Sequence, residues 1–398
     1  MKKTQKSKAS RRSKMKRLTI PSCKHFSGYK PCFPGSRCLE ECVENEPIGT
    51  RILIINLDAM GNVLATTSIL PALKRKYPQS HITWITLKSA APLLMYNHFL
   101  DRVFIWEPES WLILEEMEFD VVLNVDKSQR SCAFAMRIKA AEKLGFGLDR
   151  NGVILPLNTE AHENYRLGLD DHLKFRVNQK TVSQLQCEQF RLKFLRDEYT
   201  LGLSEEEENF CREYKRQAGM AGDDVVVGFN TGCSELYPNK KMTIDQHVSL
   251  INRLSAVSGI KLVLVGGPED TQRNAEIYRL VGEKVVNTPT TEGVRRGICY
   301  ENLCDLVISG DSFGMHLAVA LKKHVIVWFG VSCAAEIDLF ERGIKLVPGG
   351  LECSPCWKRT CPFNLECIQM IDLDAIIREV NRFVEARRRS VLLTGAKK

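Results

Sequence analysis

The sequence predicts an α/β protein built from two doubly wound, Rossmann-like halves that face each other across a cleft. Three observations carry this expectation. Each half holds a glycine-bearing turn directly after a short apolar run: Asn56-Leu57-Asp58-Ala59-Met60-Gly61-Asn62-Val63-Leu64 follows residues 51–55, and Ser309-Gly310-Asp311-Ser312-Phe313-Gly314-Met315-His316-Leu317 follows residues 305–308. Buried strand, tight turn and apolar helix start mark the places where open α/β sheets hold ligands. Around both turns, strand patterns alternate with helix patterns, which indicates parallel sheets. Finally, 398 residues, 44% of them hydrophobic, suffice for two full cores.

Residues 1–20 read as a basic tail. Positions 1–17 carry nine Lys or Arg and no acid, and the remainder of this +8 chain is close to neutral. Such an arm is either simply solvated or drawn to an anionic surface: membrane headgroups, lipid-linked glycan phosphates or nucleic acid. The near-neutral remainder argues against nucleic acid as partner. The tail lacks the apolar stretch of a secretory signal. No run is long enough to cross a bilayer, and the best, Val319–Val331, is broken by Lys322, Lys323 and His324. A cytoplasmic protein is expected, with peripheral contact at the inner face of the membrane through the tail.

Residues 21–50 are rich in Cys, Pro and Gly and show no periodicity. The first α/β series, residues 51–217, begins with a strand at Ile52–Leu57 and a helix over Val63–Tyr77 that stops before Pro78. Strands follow at His81–Thr86, Arg102–Trp106 and Asp120–Val125, the last leading into a helical stretch through Lys143. Residues 150–200 are weakly patterned apart from a helix near Val182–Leu195. Ser204 with Glu207 three residues on predicts a capped helix to Ala218. Residues 218–224 form a Gly/Asp linker, read as the domain boundary and hinge.

The second series, residues 225–375, holds strands at Val225–Phe229, Lys261–Val265, Leu303–Ser309 and His324–Phe329. Helices are expected over Thr243–Val257 and residues 271–282. An amphipathic helix over residues 371–387 is expected to pack back onto the first half.

Eight of the fifteen cysteines fall in two compact groups, Cys23/Cys32/Cys38/Cys42 and Cys353/Cys356/Cys361/Cys367. In a reducing compartment such groups read as metal sites rather than disulfides. The second, Cys-x2-Cys-x4-Cys-x5-Cys, suits one four-thiolate site. The first, Cys-x8-Cys-x5-Cys-x3-Cys with His25 as a possible substitute ligand, lies where a stretch without apolar periodicity needs a clip to be ordered. Structural zinc, iron or an iron–sulfur cluster all fit the spacing.

Four stretches, in order, resemble glycosyltransferase family 9, the ADP-heptose:lipopolysaccharide heptosyltransferases: Leu57–Leu64 with Thr66-Thr67 and Leu70-Pro71; Gly228-Phe229-Asn230-Thr231-Gly232 with Asn239-Lys240-Lys241-Met242; Leu264–Glu269; and Val307–Ala318 with Val327–Gly330. The resemblance implies a GT-B fold and an inverting sugar transfer from a nucleotide diphosphate sugar, ADP-heptose, to a glycan or lipid-linked acceptor, with no organic cofactor. The cysteine motif at 353–367 also resembles one found at that place in many members.

Site roles follow from the resemblance and agree with the chemistry. A turn at Asn230-Thr231-Gly232 opening a helix would offer amides to the diphosphate. Lys240, with Lys241 beside it, would neutralise the leaving charge. Glu269 would accept from the ribose hydroxyls. Asp311, with Ser312 and Gly314, would hold the sugar. His316 either touches the donor or fixes the turn as a buried, hydrogen-bonded histidine. One position departs from the family: the residue after Gly61, where the family's general base is usually Asp, is Asn62. An amide cannot take the proton. Asp58 as base, Asp126 as base, or a protein that binds without transferring remain open.

Overall fold

The computed structural model describes residues 18–40, 42–220, 222 and 224–395. The basic tail to residue 17 and part of the 218–224 linker lie outside them. The chain divides into two compact units, residues 1–49 and 50–398.

Among the described residues of the first unit there is neither helix nor strand, and Cys23 alone is buried. Leu18, Ile20, Tyr29, Phe33, Leu39 and Val43 are all exposed. Successive turns shape it, including Phe26 N–H to Cys23 O and Asn45 N–H to Cys42 O.

The second unit contains two six-stranded sheets. In the first, β1 (Thr50–Ile55), β2 (Ser80–Thr86), β3 (Arg102–Ile105), β4 (Glu118–Asn124), β5 (Lys139–Leu148) and β6 (Ile154–Pro156) run in the order β3-β2-β1-β4-β5-β6. All pairs are parallel except β5–β6. The second sheet, β7 (Val225–Asn230), β8 (Ile260–Val265), β9 (Val286–Asn287), β10 (Leu306–Gly310), β11 (His324–Trp328) and β12 (Gly343–Leu346), is ordered β12-β11-β10-β7-β8-β9 and wholly parallel. Counted within each half, both orders are 3-2-1-4-5-6, the dinucleotide-binding arrangement whose strand order reverses between strands 1 and 4. The reversals fall at β1/β4 and β7/β10. The inner strands β1, β7 and β10 are largely buried, as expected of strands covered on both faces.

The helices are α1 (Met60–Thr66), α2 (Ile69–Lys76), α3 (Pro108–Glu116), α4 (Gln129–Arg137), α5 (His162–Leu167), α6 (Val182–Gln189), α7 (Glu205–Gln217), α8 (Ile244–Leu254), α9 (Thr271–Val281), α10 (Val294–Asn302), α11 (Phe313–Ala320), α12 (Glu366–Gln369) and α13 (Leu373–Gly395). The capping box on α7 forms as read, with Ser204 accepting from Glu207 N–H and Glu207 accepting in return.

Four expectations fail for identifiable reasons. The helix over Val63–Tyr77 is two helices, because the Thr67 and Ser68 hydroxyls donate to Leu64 O at 2.6 Å and Ala65 O at 2.7 Å and interrupt the ladder. The helix near Val182–Leu195 ends at Gln189. The helical stretch through Lys143 stops at Arg137, and Lys139–Leu148 pairs with β4 instead; sheet pairing overrides the helix-favouring residues Lys139-Ala-Ala-Glu-Lys-Leu144. The terminal helix packs on the second half, not the first. Its stripe Ile376, Val380 and Val384 joins the core of Leu250, Ile251, Leu254 and Ile326, and Arg253 meets Asp374 at 2.5 Å.

The two halves share a continuous apolar cluster. It includes Val63 and Leu64 of α1 and Met315 and Leu317 of α11.

Candidate functional site

The two glycine turns sit at the two strand-order reversals, and each reversal is bridged by an asparagine. After β1, Asn56 Nδ2 donates to Asp126 Oδ1 at 2.6 Å, and Leu57 N–H donates to Asp126 Oδ2 at 2.5 Å. Asp126 thus fixes the start of the first turn from the end of β4. Burial pushes its carboxyl up to about 7, against the pull of those two donors. Asp58, next in the turn, is about half exposed and pairs with Arg130 of α4 at 2.6 Å. Asn62, on α1, faces solvent.

At the second reversal Asn230 Nδ2 donates to Ser309 Oγ at 2.9 Å and Ser312 Oγ at 2.7 Å. Gly314 makes room for it: a Cβ there would stand 2.5 Å from the Asn230 amide. Ser312 is the N-cap of α11. Asp311 projects from the turn onto Lys240 Nζ at 2.7 Å, both side chains being 12% exposed. Burial would raise the Asp311 carboxyl, but Lys240, His316 and Ser332 together outweigh it and the carboxyl lies below its usual value. The ion pair is therefore preformed in a poorly hydrated place.

His316 joins the turns. It is buried, its ring stacks on Tyr199 at 6.1 Å, and a Cβ on Gly61 would stand 2.6 Å from its Cδ2. Only glycine at 61 lets α1 approach α11 so closely. Burial depresses the His316 ring to about 4, with Asp311 opposing. Its Nδ1 has no hydrogen-bond partner among the described residues.

The stretch after β7 differs from its expected form. Asn230-Thr231-Gly232 does not open a helix. Asn239 and Lys240 lie in a short 3-10 turn, and α8 starts only at Ile244 behind its own Thr243 cap. Thr231 Oγ1 donates to Asn274 Oδ1 at 2.5 Å, and Gly232 packs on Asp270, whose Oδ1 would lie 1.7 Å from an added Cβ. So this loop presents no helix dipole, because its side chains brace the sheet and Pro238 interrupts the path to α8. Glu269 stands exposed in the 3-10 turn Pro268–Asp270, while Asp270 points inward and is buried. Lys241 is half-buried beside Lys240.

The structure adds residues that periodicity and motif did not single out. Trp357, between the cysteines of the second group, lies under Lys240 Nζ at 4.9 Å and Lys174 Nζ at 4.8 Å. Its loop is docked by Arg176, which donates to Ser354 O at 2.9 Å and Glu352 O at 2.6 Å. Asn239 Nδ2 donates to Lys358 O at 2.7 Å. Lys174 reaches Glu336 at 3.5 Å, and burial, aided by Lys174, lowers the Lys127 amine to about 8. The place of Trp357 between the cysteines of the second motif is the sequence signal that could have found it.

Among the described residues no group of three or more His, Cys, Asp or Glu side chains is set to hold a metal ion. The second group is nevertheless drawn together: after burial, the neighbouring Cys356, Cys361 and Cys353 raise the Cys367 thiol to about 11. The His25 ring Nε2 lies 3.1 Å from Glu46.

Chemically, the arrangement offers a preformed cation–carboxylate pair and a helix N-terminus on one side, and an exchangeable carboxylate on the other. The comparisons point the same way. Residues 111–366 match the family described as glycosyltransferase family 9 (heptosyltransferase). Lipooligosaccharide heptosyltransferase 2 of Campylobacter jejuni subsp. jejuni serotype O:6 is 26% identical over 165 residues, 39% of this chain and 51% of that protein. The match thus spans about half the length of this curated relative. Two solved structures share the fold. E. coli ADP-heptose lps heptosyltransferase II superposes with a TM-score of 0.63 at 17% identity, over 85% of this chain and 100% of that one. The dodecameric iron-containing heptosyltransferase TibC, solved in complex with ADP-D-beta-D-heptose, gives 0.50 at 12% identity over 91% and 83%.

Proposed function

The chain belongs to glycosyltransferase family 9, and from that premise we propose that it is an inverting GT-B glycosyltransferase moving heptose from ADP-heptose to a lipopolysaccharide-type glycan acceptor. The observation that carries this reading is the buried Lys240–Asp311 pair at one strand-order reversal, joined through His316 and Gly61 to the turn that bears Asp58 at the other. The ligand of the TibC complex supports the choice of donor.

In this reading Lys240 and the amides at the start of α11 take the diphosphate, where charge grows as the sugar–oxygen bond breaks. Asp311 hydrogen-bonds the sugar and keeps Lys240 in place. Glu269, already solvent-facing, accepts from the ribose hydroxyls. Asp58 removes the proton from the acceptor hydroxyl, whose oxygen attacks the anomeric carbon opposite the leaving diphosphate. Its exposed pairing with Arg130 is worth little, so an acceptor hydroxyl can replace it. Asn62 orients that hydroxyl. Asp126, with both oxygens already accepting hydrogen bonds, positions the turn. Cys353, Cys356, Cys361 and Cys367 would hold a structural zinc or iron that orders the loop bearing Trp357; the mutual effect of their thiols supports this.

No helix among the described residues is long and apolar enough to cross a membrane. We place the protein in the cytoplasm, with the basic tail meeting the inner membrane surface. A second reading, a sugar-nucleotide-binding protein without transfer, is favoured by Asn62 alone. ADP release from ADP-heptose, measured with lipid A–core, glycan and protein acceptors, tests both. Acceptor-dependent release is expected, falling roughly 10²–10⁴-fold in Asp58→Asn. Donor binding without release would select the second reading, and release unchanged in the variant would transfer the base role to Asp126.

A further inference from the structure

We propose that Cys23, Cys32, Cys38 and Cys42 hold an iron–sulfur cluster, and that this centre, in place of an apolar core, orders residues 18–49. All four cysteines line one cavity of ≈360 Å³, together with Pro21, Ser22, Phe26, Glu40 and Asn45. Residues as far apart as 23 and 42 therefore converge on a common space.

The unit around that space is not ordered by an apolar core. It lacks regular secondary structure among its described residues, and its large apolar side chains face solvent. Small units without a core need a metal, a disulfide or a partner. Its chain is wound into turns that begin at ligands, with Cys23 O accepting from Phe26 N–H and Cys42 O from Asn45 N–H. The ends of the segment are latched by Lys24 and His25 on Glu46, at 2.5 and 3.1 Å. That latch occupies His25 and leaves the four thiols as the ligand set.

Size selects among the thiol chemistries. A lone tetrahedral zinc takes thiolates at about 2.3 Å, which brings all four sulfurs around one point. The shared cavity exceeds by more than tenfold the roughly 30 Å³ of one water. Disulfides would instead bring sulfurs together in pairs, whereas all four cysteines are free and open onto a shared space. Four thiolates set around a wide cavity suit a polynuclear core of iron and sulfide. The inference rests on residues separate from those of the transferase reading.

The test uses the full chain, isolated without oxygen and treated with ferrous iron and sulfide, beside a sample given zinc. Native mass spectrometry of the unmutated chain should show the added mass of an iron–sulfide core, and chemical analysis should find acid-labile sulfide matching the iron. The double variant Cys32→Ser/Cys38→Ser should lose that sulfide, while Cys356→Ser/Cys361→Ser should keep it. Zinc or iron bound without labile sulfide would overturn the proposal. So would a mass showing two disulfides, or sulfide lost only with the second cysteine group.

Discussion

The two strand-order reversals are built alike and finished differently. Each is bridged by an asparagine at the end of the sheet's first strand, Asn56 to Asp126 in one and Asn230 to Ser309 and Ser312 in the other. At the second reversal the charged groups are buried and paired with each other. At the first, the outermost carboxylate, Asp58, is held by the exposed Arg130. Stabilising a developing charge calls for fixed, desolvated groups. Taking a proton from an incoming hydroxyl calls for a group that can exchange partners. The same scaffold thus places a buried ion pair at one reversal and a half-exposed carboxylate at the other.

The sharpest way to break this comparison is Lys240→Ala. If Lys240 serves the leaving diphosphate, turnover should fall on the order of 10²–10³-fold. Stability should also drop by about 3–5 kcal/mol, because Asp311 is left buried and unpaired. Lys240→Ala/Asp311→Asn should regain much of the stability and none of the turnover. Recovery of both, read by thermal melting and ADP release, would make the pair merely structural.

Gly61→Ala probes the contact between the reversals. A Cβ there meets the His316 ring at 2.6 Å, so a loss of about 1–3 kcal/mol is expected from overpacking. The double change Gly61→Ala/His316→Ala should restore part of it. Unaltered denaturant midpoints in the single variant would mean that the turns do not pack in this way.

A smaller effect is expected at Trp357, which supports Lys240 without replacing it. Trp357→Ala should raise the donor KM about tenfold or less, as loss of one cation–π contact of about 0.5–1 kcal/mol with some loop loosening implies. A fall in kcat with unchanged KM would move Trp357 from positioning to the transition state.

The smallest test uses pH. The His316 ring is depressed to about 4 in the fold from about 6.5 when unfolded. The unfolded chain therefore binds the extra proton between those values, and this histidine's contribution to stability grows as pH rises from 4 to 6.5. Asp126, raised to about 7, works in the opposite sense from about 4 to 7. Replacing His316 by Gln should flatten the rise by roughly one proton. An unchanged slope in chemical denaturation at several pH values would show that His316 is not held neutral.

Much of this was legible in local sequence. The apolar runs before Asn56 and Ser309 announced parallel strands, since a strand covered on both faces must be apolar along its length. The Ser204/Glu207 box and the Gly61 and Gly314 turns were readable because each depends on residues a few positions apart. What failed was decided at a distance. Lys139–Leu144 carries helix formers, yet an available edge of β4 made it a strand. The terminal helix showed its stripe but not the surface that would accept it. The Asn230-Thr231-Gly232 turn was legible, and only the fold revealed that Gly232 packs on Asp270.

The sequence by itself determined the two α/β halves, their ligand-bearing turns and the grouping of the cysteines, because periodicity, turn chemistry and spacing are local properties of the chain. The tertiary structure alone decided that Lys240 pairs with Asp311, that Gly61 abuts His316, and that Trp357 lies beneath two lysines. Those pairings join residues far apart in the chain, and burial and charge at a site are set by whatever the fold packs around it.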